Sequence, residues 1–347
     1  MPHPPVHQNE PQRLQTLRAL DLLDTPLEER FERITRMACR LLQAPIAGVS
    51  LVDAGRVWFK SIQGLNIIEV DRDSSFCAHA IVSDEVLVVP DATADPRFAQ
   101  GSLVAGEPYA VAYAGCPVRF TNGLNVGALF VLETAPRDFS DRDVWMLHDL
   151  AALVERELSA SAVDPLPEMT GRKHQDRRRA MIDPVTRTWN RQGILRALDL
   201  QLTDDTEYMF AVAALRIDDE PPGGEDVDEM RCALARRCLG GIRSTDILGR
   251  LDAGEFLLVT GPVAGARQAI RIGERLCMRM TAEPVACPGG PRAMSLSIGL
   301  AIIEPDAKPT AEAVLAMASA AAQEARAAGG NTVRVAEAPA QDHREVA

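Results

Sequence analysis

The chain has 347 residues, 46% of them apolar and 25% charged, and a formal net charge of −12. That length suffices for two ordinary domains, and the acidic balance argues against a nucleic-acid partner, which needs a basic face. Seven scattered cysteines (Cys39, Cys77, Cys116, Cys232, Cys238, Cys277 and Cys287) suit reduced thiols rather than a disulfide framework. No C-x-x-C spacing occurs, and the H-x-x-x-H spacing of His3 and His7 in the Pro-rich start does not suggest a metal site. The opening "MPHPPVHQNE" lacks the charged and apolar regions of a signal peptide. No apolar run approaches the ~20 residues of a membrane span. The expectation is a cytoplasmic protein with no membrane partner.

Residues 1–11, rich in Pro and His, are expected to be disordered. In "TPLEERFERITRMACRLLQ", Thr25 and Glu28 have the spacing of a capping box, with Pro26 at the first helical position. Leu27, Phe31, Ile34, Ala38 and Leu41 then fall on one helical face. "IAGVSLVD" and "RVWFKSIQG" read as a strand hairpin. Short strands follow in "VLVVPDATADPRF", "AVAYAGCPV" and "NVGALFVLE". A second amphipathic helix starts after Ser140, with Asp143 at its third position. Residues 12–160 therefore form one α+β domain, an antiparallel sheet with flanking helices. Residues 161–182 are the linker, where Pro165 and Pro167 stop the helix. The short basic stretch Arg172 to Arg179 reads as a solvated linker.

The second half alternates helix and strand through residues 183–336, with a disordered tail at 337–347. Helices near 191–202, 227–242 and 264–281 interleave with strands "YMFAVAALRI", the hairpin "DILGRLDAGEF", "AMSLSIGLAII" and "NTVRVAE". The order βαββαβ predicts a ferredoxin-like, nucleotidyl-cyclase-like sheet with helices on one face.

"SSFCAHAI…VVPDATADPRFAQGSLVAGEPYAVAYAGCPV…GALFVLETAPRDFS" resembles a GAF sensor domain. "DPVTRTWNR", "DILGRLDAGEF", "SLSIGLA" and "ASAAAQEARAAGGN" resemble the GGDEF domain of diguanylate cyclases. The resemblance implies cyclic-di-GMP signalling, a homodimer, and chemistry that joins two GTP molecules, one per subunit. That chemistry needs carboxylates to hold Mg²⁺ on a triphosphate, a glycine turn and a guanine-reading amide.

Against that pattern the chain departs at several places. Arg216 stands at the family's first metal carboxylate, with Asp218 at the second. Asp252, Ala253 and Gly254 replace the first three signature positions, while Glu255 and Phe256 remain. "DDEPPGGEDVDEM" is short and lacks Asn where guanine is read. Arg326 replaces a phosphate-facing Lys, and Ser319 an Asp. These departures predict a non-enzyme: a degenerate, catalytically inactive domain acting as a cyclic-di-GMP receptor or protein-docking module, with no required cofactor. Two alternatives stay open. One is an active diguanylate cyclase with Mg²⁺ on a shifted site of Asp218, Asp219 and Glu255; the other is a dimerisation adaptor that binds no nucleotide.

In "RSTD", Arg243 and Asp246, with Arg250 following, have the spacing of the family's inhibitory cyclic-di-GMP site. Arg178 is a candidate second arginine. A plain surface Arg–Asp pair is the bland reading. In the GAF half the candidate ligand-pocket residues are Phe76, Cys77, His79, Asp91, Asp95 and Tyr113. Cys77 reads foremost as a buried apolar thiol, His79 as structural, and Asp91 and Asp95 as turn residues.

Overall fold

A computed structural model of the chain describes residues 4–161, 178–203, 208–221, 223–305 and 307–336. Most of the expected linker and the tail at 337–347 lie outside the described residues. Two compact units meet in sequence between Ala180 and Met181.

The first unit opens with α1 (Glu10–Ala19), so Glu10 and Pro11 are helical rather than part of a disordered arm. It continues with α2 (Glu29–Leu42), β1 (Ile46–Val52), β2 (Arg56–Gln63), β3 (Glu69–Asp71), α3 (Phe76–Ala80), β4 (Leu87–Val89), α4 (Ser102–Ala105), β5 (Ala112–Arg119), β6 (Asn125–Glu133) and α5 (Asp141–Ser161). The strands form one antiparallel sheet in the order β3-β2-β1-β6-β5-β4. Every residue of β1 is buried, because both faces of the sheet are covered. One face carries a core of Leu17, Phe31, Ile34, Leu147 and Val154 from α1, α2 and α5. The other packs Phe59, Phe76, Phe98, Tyr113 and Phe130. Each such side chain contributes roughly 1.5–3 kcal/mol by leaving water.

Local signals held where their partners were local. Asp143 Oδ2 accepts from the Ser140 amide at 3.0 Å, and the Asp143 amide donates to Ser140 Oγ at 3.2 Å, a reciprocal capping box. The corresponding box at Thr25 and Glu28 does not form. The wholly buried Lys60 draws both residues away, donating to Thr25 Oγ1 at 2.6 Å and pairing with Glu28 at 2.5 Å. A buried ammonium needs a counter-charge more than a helix needs its cap, and α2 starts at Glu29 instead.

Glu10 organises the entry to this unit. It accepts from Arg13 at 2.7 and 2.8 Å and from Arg72 at 2.6 Å, while Arg13 also donates to the Val52 carbonyl. Burial alone would raise the Glu10 carboxyl, but the two arginines lower it from 4.5 to about 2.

The second unit contains α6 (Arg191–Thr203), β7 (Phe210–Ile217), α7 (Glu225–Leu239), β8 (Ile247–Asp252), β9 (Glu255–Val259), α8 (Ala266–Thr281), β10 (Leu296–Ile303), α9 (Ala311–Ala327) and β11 (Val333–Val335). The sheet order is β11-β10-β7-β9-β8, with β10 and β11 parallel and the other pairs antiparallel. Helices cover both faces rather than one. Ile194 and Leu198 of α6 and Val314 and Ala318 of α9 join the core made by Val212, Ala214 and Leu257. Leu215, Phe256 and Leu258 alternate to the opposite face, where α7 and α8 pack. Gly299 lets α9 approach: a Cβ there would lie 2.0 Å from the Ala318 carbonyl oxygen.

Because its folded pKa is depressed, Glu10 stabilises the fold fully above 4.5, and that contribution is lost as pH falls from 4.5 toward 2. Glu10→Gln should therefore lower stability at neutral pH and flatten the acid limb in that window. Chemical denaturation at a series of pH values checks this; an unchanged slope would contradict it.

Candidate functional site

The β8–β9 hairpin pairs Asp252 with Glu255 across Ala253 and Gly254. Gly254 has φ +89°, a conformation glycine adopts without penalty. Its missing side chain also matters. A Cβ on Gly254 would lie 2.3 Å from a carboxylate oxygen of Glu220. Glu220 is held in turn by Arg231 at 2.7 Å. The hairpin tip thus closes on the loop after β7. The hairpin persists because β9 runs between β7 and β8, with Phe256 through Val259 buried.

At the end of β7, Asp218 is 8% exposed and its carboxylate accepts three hydrogen bonds. Ser297 Oγ donates to one oxygen. Ser295 Oγ, at 2.6 Å, and the Asn331 amide, at 2.9 Å, donate to the other. Glu255 accepts from Ser319 Oγ at 2.8 Å and faces Arg216 at 3.9 Å. Asp219 is exposed. Asp218, Asp219 and Glu255 are therefore not assembled into a metal site, and no group of three potential ligands occurs among the described residues. The donor set is a poor fit for the divalent cation that the GGDEF family implies: one carboxylate already accepts three hydrogen bonds, another faces a guanidinium, and position 254 offers none.

Two hollows flank the hairpin tip. One, about 600 Å³, is lined by Glu220, Gly223, Gly224, Asp228, Arg231 and Ala253. The other, about 500 Å³, is lined by Asp183, Asn190, Arg191, Arg250, Asp252 and Ala253. Asp183 closes its own turn, accepting from the Thr186 amide at 2.7 Å, and pairs with Arg250 at 3.2 Å. Neither Glu220–Arg231 nor Asp183–Arg250 was foreseen, since each joins residues distant in sequence.

The "RSTD" residues go to different partners. Asp246 accepts from the Arg243 amide and the Gly261 amide, both at 2.8 Å, so its carboxylate closes a turn. Arg243 is exposed and donates to the Pro262 carbonyl at 3.2 Å. Arg250 lies on Asp183, and Arg178 makes a two-pronged contact with Asp21 in the first unit.

In the first unit Phe76, Cys77 and Tyr113 do meet. Phe76 stacks on Tyr113 at 4.7 Å, and the Tyr113 hydroxyl donates to Cys77 Sγ at 3.6 Å. Burial pushes the Cys77 thiol and Tyr113 phenol up, holding both neutral. His79 packs edge-on against Phe98, its Nε2 buried without a hydrogen-bond partner. Burial, and then the nearby Arg97 charge, lower its pKa. Asp91 and Asp95 cap local turns through Thr93 and Arg97.

Residues 26–158 match the GAF domain family, and residues 180–332 match the family described as "Diguanylate cyclase, GGDEF domain". The chain carries a GAF domain followed by a GGDEF domain. It is 36% identical over 216 residues to the cyclic di-GMP phosphodiesterase PA2567 of Pseudomonas aeruginosa, covering 62% of this chain and 34% of that protein. It is 28% identical over 162 residues to the diguanylate cyclase TpbB of the same species, covering 45% of this chain and 37% of that one. The crystallised GGDEF domain of TpbB (YfiN) from Pseudomonas aeruginosa aligns at 27% identity and a TM-score of 0.42, covering 45% of this chain and 94% of that one. The chain spans about a third of the length of these curated relatives.

These findings overturn the expectation of a non-enzyme. A relative at 36% identity bears the name of a phosphodiesterase, and the second family is described by a cyclase activity. The substitutions around the hairpin concern GTP condensation alone; they do not address hydrolysis of the cyclic product.

Gly254→Ala should destabilise the second unit by ~1–3 kcal/mol, from the positive φ and the collision with Glu220. Denaturant unfolding measures this. A companion Glu220→Ala change should recover the collision part, and a Gly254→Ala protein as stable as wild type would contradict the geometry.

Proposed function

We propose that this chain is a cyclic-di-GMP signalling module in which the GGDEF domain binds a guanine nucleotide in the groove between the hairpin tip and the loop after β7. The observation that carries this reading is the groove itself. Its volume of about 600 Å³ suits a mononucleotide. Gly223 and Gly224 have φ +143° and +97°, which lets backbone approach a ligand closely. Arg231 pairs with Glu220 at 2.7 Å and with Asp228 at 3.5 Å, so Glu225 is the carboxylate left to face a base. Guanine presents adjacent N1–H and N2–H donors, which a carboxylate accepts together; adenine presents no such pair. The GAF domain supplies the input in this reading.

Calorimetric titration of the full chain tests it. GTP should bind at least about tenfold more tightly than ATP, a difference of ~1.4 kcal/mol. Equal affinity, or no heat at high micromolar nucleotide, would remove the reading. The same protein incubated with GTP or with cyclic-di-GMP, in Mg²⁺ or Mn²⁺, and resolved by chromatography decides whether binding is coupled to condensation or to hydrolysis.

A second position for cyclic-di-GMP is the "RSTD" segment with Arg250. Arg243 is exposed there, and a guanidinium suits a phosphate or a guanine edge. Arg243→Ala should weaken cyclic-di-GMP by more than about tenfold while sparing GTP. Unchanged cyclic-di-GMP binding would leave the segment as a turn alone.

A further inference from the structure

We infer that Arg178 and Arg179 form a strap that couples the turn after α1 to the hairpin strand β8. Both arginines belong to the first unit. Arg178 forks onto Asp21: Nη1 donates to Oδ2 at 2.8 Å and Nη2 to Oδ1 at 2.7 Å, and Nη1 also reaches the Asp21 carbonyl at 3.3 Å. The Arg178 side chain is 11% exposed, so this end of the basic stretch is docked rather than solvated. Arg179 donates to Glu69 Oε1 at 2.9 Å. Glu69 in turn pairs with Arg56, and Arg56 forks onto Asp24 at 2.6 and 3.0 Å. The two arginines therefore seat on one turn, Arg178 on Asp21 directly and Arg179 on Asp24 through Glu69 and Arg56. Asp21 and Asp24 have φ +52° and +55°, a left-handed conformation that Asp accepts better than most residues. The shape of that turn sets where both carboxylates lie.

On the other side of the strap the chain passes straight into backbone hydrogen bonds. The Met181 carbonyl accepts from the Asn190 amide at 2.7 Å, and Ile182 bridges Trp189. The Trp189 amide donates to the Leu248 carbonyl at 3.3 Å, and the Arg250 amide donates to the Trp189 carbonyl at 2.7 Å, so this entry segment is bonded along β8. β8 ends at Asp252, and Ala253 beyond it lines both hollows at the hairpin tip. Arg179 and Met181 are two residues apart, a span of at most ~7 Å. So short a span takes up little movement. A shift of the Asp21 turn either breaks the strap or is passed to Met181. Ion pairs near the surface each change an equilibrium only roughly two- to fivefold, so the strap is held loosely enough to open. A coupling element needs that, because its two states have to lie close in free energy.

Hydrogen–deuterium exchange of the full chain, read at the Trp189, Asn190 and Arg250 amides, tests the strap and needs no nucleotide. Arg178→Ala with Arg179→Ala should speed exchange at these amides by more than about threefold, while the amides of β10 exchange as in wild type. Asp21→Asn, which removes the charge and tolerates the left-handed turn, should speed the same amides by more than about twofold. Arg178→Lys with Arg179→Lys, which keeps the charge without the fork, should fall between wild type and the double alanine protein. Raising NaCl from about 0.05 M to about 0.5 M should speed the same amides in wild type by screening the pairs, and this arm stands even where a variant fails to fold. Exchange that ignores both Asp21→Asn and salt overturns the inference and leaves Arg178 and Arg179 as surface ion pairs. Faster exchange confined to the Asp21 turn overturns it as well, since the strap then carries nothing to β8. Faster exchange that extends equally to β10 is general loosening and also overturns it.

Discussion

The Asp218 carboxylate is the interaction on which the second unit's site depends. It sits where β7 ends, and its three donors come from the residue before β10, from β10 itself and from the turn before β11. One buried charge thus ties three separate stretches of chain. A carboxylate in so little water needs donors to offset its lost hydration, and here the chain supplies three. The same hydrogen bonds fix the direction in which both carboxylate oxygens point. Everything else at this end of the sheet is consistent with the tether: Arg326 takes the Asp218 carbonyl, and Arg216 occupies the neighbouring position on β7.

The hairpin shows a similar exchange. At position 254 a left-handed turn and the Glu220 carboxylate leave no space for a side chain. Glu220 in turn needs Arg231, which holds the start of α7 against the hairpin tip. The hollow beside the tip is a product of these pairings. Its charge pattern follows from them too, since Arg231 pairs with both Glu220 and Asp228 and leaves Glu225 along the rim.

Much of the fold was legible in the sequence because it rests on local periodicity. The β1–β2 hairpin, the Ser140–Asp143 box and the helix–strand alternation of the second unit all depend on residues a few positions apart. The Thr25–Glu28 box misled because Lys60, far along the chain, claims both residues. Helices on both faces of the second sheet escaped notice, since amphipathic spacing says that a face is buried and not against which side. The site was legible in its residue types and illegible in its pairings. Arg216 and Gly254 stand out in the sequence, but Asp218 with Ser295 and Ser297, Glu220 with Arg231 and Asp183 with Arg250 are joined only by folding. The non-enzyme expectation failed for another reason. Counting the groups one reaction needs cannot speak for a different reaction on the same nucleotide.

The central claim is that Asp218 is a structural tether that joins three stretches of the second unit. A crystal structure of the full chain grown with GTP and excess Mg²⁺ tests it most directly. The expected result is Asp218 still bound to Ser295, Ser297 and the Asn331 amide, with the nucleotide in the groove beside the hairpin tip. An Asp218 carboxylate released from Ser295, Ser297 and the Asn331 amide to coordinate magnesium would contradict it.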